Sequence, residues 1–99
     1  MIIESIAKYL TGLRHIHSVI RVGDNLEITF DNKNKFVGLH VCAVYPKTVD
    51  YTVYWGYPTH TLVGRGWFDF HNDPPTEEQL RKFYLHAMRG AHIDSYMDL

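Results

Sequence analysis

Around Gly12 the spacing of apolar residues changes from helical to extended, and that change constrains the fold more than any other feature of the chain. Ahead of it, Ile2, Ile6, Tyr9, Leu10 and Leu13 recur at offsets of four, seven, eight and eleven, which is one face of a helix over 2–11. Glu4 and Lys8 are spaced for an i,i+4 ion pair on the other side. Gly12 is placed to stop the helix in the left-handed conformation. After it the period is two. Ile20 and Val22 fall on one side of a strand at about 17–22, and Leu26, Ile28 and Phe30 on one side of a second at about 26–31. Gly23, Asp24 and Asn25 lie between them and tolerate the backbone of a tight turn, so the pair reads as a hairpin with Arg21 facing Glu27.

The polar stretch at 31–35 predicts an exposed turn, and the nearly unbroken apolar run at 36–45 predicts a central strand covered on both faces, ended by Pro46. A fourth strand, 49–57, alternates Val49, Tyr51, Val53 and Trp55 with Asp50, Thr52 and Tyr54, and Pro58 ends it. Residues 59–70 read as short strands flanking Gly64-Arg65-Gly66 or as one irregular loop, with a fifth strand at about 61–70 under the first reading. Thr76 with Gln79 is a capping box that opens a helix over 76–89, Glu77 and Glu78 favour its first turn, and Leu80, Phe83, Tyr84, Ala87 and Met88 form its apolar stripe. The residues after Gly90 read as a short packing tail. The expected fold is α+β: one domain over 1–99, a two-layer sandwich with an antiparallel sheet of four to five strands and both helices on one face.

Composition bounds the function. The 99 residues suffice for one domain with a modest core. Lys plus Arg number 10 against 11 Asp plus Glu, a net charge of -1, so no overall field draws the chain to nucleic acid or an anionic membrane. Basic residues are scattered: Lys33 and Lys35 in one loop, Arg14 and Arg21, then Arg81, Lys82 and Arg89 on the last helix. The single cysteine, Cys42, lies in an apolar run and reads as a small buried hydrophobe, which fits a reducing compartment. The N-terminus lacks the pattern of a secretory signal, and a cytoplasmic location is expected.

Seven histidines raise the question of a metal. His15 and His17 form one i,i+2 pair, and Asp69 with His71 another; together they would make a four-ligand shell, but no spacing brings them together. His40 reads as a core residue within the sheet, and His86 and His92 fall near the end of the last helix. An acid–base or metal-dependent enzyme would centre on His60, Asp69 and His71, with Asp73 nearby, but no nucleophile elbow or phosphate loop accompanies them. Gly64-Arg65-Gly66 reads as a turn that displays one arginine.

Half of the chain's fourteen aromatics lie between residues 51 and 70. A strand cannot turn both faces toward one helical layer. If Tyr51 and Trp55 face the helices, Tyr54 faces away, and Tyr57, Arg65 and Trp67 join it, with Asp69 or Asp50 at the rim. Tyr, Trp and Arg are the residues enriched at binding hot spots. The competing reading is an aromatic minicore beneath a loop. The expected function is a small non-enzymatic module that binds another protein, or itself as a homodimer, through Tyr54, Tyr57, Arg65, Trp67 and Asp69. No cofactor, catalytic residue or membrane partner is expected. Compact chains of this kind are often accessory or inhibitor proteins of phages and mobile elements, which occlude a partner's working surface. The alternatives are the enzyme centred on His60, Asp69 and His71, and a nucleic-acid-binding protein using an aromatic sheet face.

Overall fold

The computed structural model describes residues 2–14, 16–30, 37–55 and 61–90, without the side chains of Val37, Trp55, Thr61, Leu62 and Val63. The expectations for His15, the turn at 31–35, Tyr57, Pro58, His60, His92 and the tail after Gly90 lie outside these residues, as does the side chain of Trp55.

Seven elements follow one another: α1 (Ile2–Thr11), β1 (Ile16–Val22), β2 (Asn25–Phe30), β3 (Val37–Tyr45), β4 (Thr48–Trp55), β5 (Thr61–Asp69) and α2 (Glu77–Gly90). The strands form one sheet in the order β1-β2-β3-β4-β5, every neighbour antiparallel. Both helices lie on one face. The fold is thus the α+β two-layer arrangement expected, with five strands.

The core lies between the helices and that face. Leu26, Ile28 and Phe30 of β2, Leu39 and Val41 of β3, and Val49, Tyr51 and Val53 of β4 are buried against Ile2, Ile3, Ile6 and Leu10 of α1. From α2 come Leu80, Phe83, Tyr84, Ala87 and Met88, the apolar stripe read from its periodicity. Tyr9 of α1 stands beside α2: burial raises its phenol pKa, with Arg81 opposing the rise and Glu77 adding to it.

Several local expectations are corrected. Among the described glycines Gly23, at φ 62°, is the one with positive φ, so Gly12 does not end α1 in the left-handed conformation. The last turn tightens instead, with Gly12 N donating to Tyr9 O at 3.2 Å and Leu13 N to Leu10 O at 3.1 Å. Glu4 pairs with Arg21 of β1 (3.3 Å to Nη1) and not with Lys8. Arg21 does not face Glu27, because the hairpin loop holds two residues, Gly23 and Asp24: Val22 pairs with Asn25 and Ile20 with Glu27. β3 is central but covered on one face only. Gly38, His40 and Cys42 alternate with the buried Leu39 and Val41, so His40 and Cys42 are half-buried on the other face and are not core residues.

Gly64-Arg65-Gly66 is not a turn. β5 runs through it, and Gly66 lies opposite Tyr51. A Cβ on Gly66 would stand 2.6 Å from Tyr51 Oη, so glycine leaves room for the tip of the ring against β5. At the start of α2, Gln79 N donates to Thr76 Oγ1 at 3.2 Å, which satisfies one free amide of the first turn. The reciprocal half of the capping box is not made: Gln79 Oε1 is buried and accepts no hydrogen bond among the described residues.

Candidate functional site

Since both helices cover one face, the alternate residues of each strand form an open face. Its register is continuous across all five strands. One row reads Ile20, Glu27, His40, Thr52 and Arg65; the next reads Val22, Asn25, Cys42, Asp50 and Trp67. Neighbours in a row have their Cβ atoms about 4.5–5.5 Å apart.

The aromatic cluster between 51 and 70 splits between the two faces. Tyr51 and Phe68 turn toward the helices with Phe70 and pack against α2. Tyr51 meets Phe83 edge-on, with centroids 6.1 Å apart, and His86 at 5.8 Å; Phe68 lies 5.5 Å from Phe83 and 4.9 Å from Phe70. Burial raises the Tyr51 phenol pKa above its ordinary 10.0. These rings form an aromatic cluster beneath α2. Tyr54 and Trp67 are on the other side. Tyr54 is half-buried and Trp67 is 67% exposed, on β5 between Arg65 and Asp69, which share its face. Of the five residues expected to bind a partner, Tyr54, Arg65, Trp67 and Asp69 therefore share one surface. Asp50 lies directly opposite Trp67.

The polar groups of this face are sparsely paired. Thr48 Oγ1 donates to Asp69 Oδ1 at 2.5 Å, and His40 Nε2 is 3.8 Å from Glu27 Oε1. Thr52 Oγ1 is buried and has no hydrogen-bond partner among the described residues. Thr52, Asp50, Arg65 and Trp67 border a concavity of about 320 Å³. Arg65 is the one lysine or arginine on the face among the described residues, against the carboxylates of Glu27, Asp50 and Asp69.

Among the described residues, those of the metal reading are not gathered in one place. His17 is exposed on β1, while Asp69 and His71 stand at and just beyond the end of β5. β1 and β5 are opposite margins of the sheet, four strand spacings or about 19 Å apart, so His17 cannot share an ion with Asp69 and His71. No group of three or more His, Cys, Asp or Glu is placed to hold a metal among the described residues. His71 is exposed and its carbonyl accepts from Lys47 Nζ at 3.4 Å.

Ile20 (56% exposed) and Val22 (64%) belong to the open face and were not foreseen as part of it. The signal was the loop length. A three-residue loop would pair Val22 with Leu26 and turn Ile20 and Val22 to the core, whereas a two-residue loop reverses every side chain of β1. Comparison with known protein families, with characterised proteins and with solved structures finds no match to the chain. No helix among the described residues is long and apolar enough to cross a membrane.

Proposed function

We propose that this chain is a small non-enzymatic protein-binding module that works through the open face of its sheet. The observation that carries the reading is Trp67, two-thirds exposed on that face beside Arg65 and across from Asp50. A tryptophan held on a paired strand loses little side-chain freedom on binding and offers a large contact area, which is why such residues dominate interface energies. Three carboxylates against one guanidinium on the same face support a protein partner over a nucleic acid. An open sheet face on one small unit suits a protein that covers a partner's working surface, as accessory and inhibitor proteins of phages and mobile elements do. For catalysis a base must be oriented and shielded from water. Asp69 is bound to Thr48 and His71 is exposed, which favours binding over chemistry at this end of the sheet.

The test compares association and fold in Trp67→Ala and Tyr54→Ala. Both variants are expected to keep the far-UV circular dichroism of the parent, and Trp67→Ala to change stability by no more than about 0.5 kcal/mol. Both should lose association with the partner recovered from source cells, or with a second copy. Unfolding of the two variants, or undiminished binding by them, would refute the reading.

A further inference from the structure

The open face is complementary to itself. Exposed apolar side chains stand at both margins, Ile20 and Val22 on β1 and Trp67 on β5, and Tyr45 is exposed at the end of β3 opposite Thr48. β3 lies midway between the margins. Resting on the binding reading above, we propose that the occupant of this face is a second copy of the same chain, docked face to face about a two-fold axis that runs parallel to β3 and passes over it.

Such an axis lays each row on itself in reverse. In the row Val22, Asn25, Cys42, Asp50 and Trp67, the valine of each copy meets the tryptophan of the other, and each asparagine amide meets an aspartate. In the row Ile20, Glu27, His40, Thr52 and Arg65, each Glu27 carboxylate comes over Thr52 and next to Arg65 of the other copy. The same reversal lays Ile20 over Arg65 and His40 over its own counterpart. It also sets the face's lone guanidinium beside a carboxylate. Aligned sheets pack about 10 Å apart and within about 30° of each other, a gap that these side chains span.

Five strands about 4.8 Å apart and six residues at about 3.3 Å each cover about 24 by 20 Å, or about 1,000 Å² over the two copies. That is at the lower limit for a specific interface, so a dimer with a dissociation constant on the order of micromolar is expected.

A charge-reversal pair tests the arrangement by sedimentation equilibrium. The parent chain should be dimeric at on the order of 100 μM. Glu27→Arg alone sets guanidinium against guanidinium across the interface, and Arg65→Glu alone sets carboxylate against carboxylate. Each should weaken self-association by about tenfold or more. Mixing the two variants should restore a dimer that contains one of each, because both contacts are then between opposite charges. Val22→Lys, which puts a charge against Trp67, should also give monomers. Circular dichroism shows that each variant is folded.

A parent chain that stays monomeric overturns the inference, as does a mixture that fails to associate when the parent is a dimer. A two-fold axis across the strands leaves Glu27 and Arg65 of opposite copies about 14 Å apart, so it would produce that second result. If the parent is monomeric while Trp67→Ala still abolishes binding of a foreign protein, the second copy is wrong and the open face remains a binding surface. If Trp67→Ala and Tyr54→Ala unfold, the binding reading itself falls.

Discussion

Gly66→Ala adds a single methyl group on the covered side of β5, where the ring of Tyr51 lies against the strand. The new carbon would stand 2.6 Å from Tyr51 Oη and 2.9 Å from Cζ. The optimum for non-bonded heavy atoms is about 3.5 Å, so one partner must move. Tyr51 has little room to do so, being 5% exposed and held edge-on between Phe83 and His86. Overpacking of this kind costs about 1–3 kcal/mol. Alanine restricts the unfolded chain more than glycine does, which returns about 0.4–1 kcal/mol. The net expectation is a loss of about 1–2 kcal/mol, with the midpoint falling about 4–8 °C for each kcal/mol in a domain of this size. Chemical denaturation followed by circular dichroism measures it. Tyr51→Phe removes the nearest of the clashing atoms, so Gly66→Ala should cost less in that background, and the difference is the coupling between the two positions. Arg65 and Trp67 flank Gly66, so a displaced β5 should weaken association as well. A neutral or stabilising Gly66→Ala would refute the reasoning, because it would mean that the Tyr51 ring is not held in place.

Thr76→Ala removes the acceptor for Gln79 N and should cost about 1 kcal/mol, read as a lower denaturation midpoint with association unchanged. The burial that raises the phenol pKa of Tyr51 and Tyr9 favours the protonated form in the folded chain. That contribution is complete below the ordinary value of 10.0, and it is lost as pH rises from there through the folded-state values. Stability should therefore fall above pH 10, and the slope of denaturation midpoint against pH should be shallower in Tyr51→Phe; an unchanged slope would remove Tyr51 from the explanation.

Periodicity alone determined which segments are helix and which are strand, apart from β5, and which face of each helix is apolar. Both follow from local geometry: residues three and four apart share a helix face, and residues two apart share a strand face. The stripe from Leu80 to Met88 was legible for that reason, and so was the opposition of Tyr51 to Tyr54. What a strand faces is set by its neighbours. The apolar run through Leu39 and Val41 looked covered on both sides, yet two short helices on one side of a five-stranded sheet leave His40 and Cys42 on the other. Gly64-Arg65-Gly66 looked like a turn because glycine is usually read by its backbone freedom; here Gly66 answers to a ring on the adjacent strand. The orientation of β1 hung on a single residue of loop length. The two-residue loop sends Val19 toward the core, brings Arg21 to Glu4 of α1, and leaves Ile20 and Val22 on the face with Trp67. The rings that make the face were therefore contained in the chain's own alternation, whereas its extent was decided by pairing register, a long-range property that one-residue shifts invert.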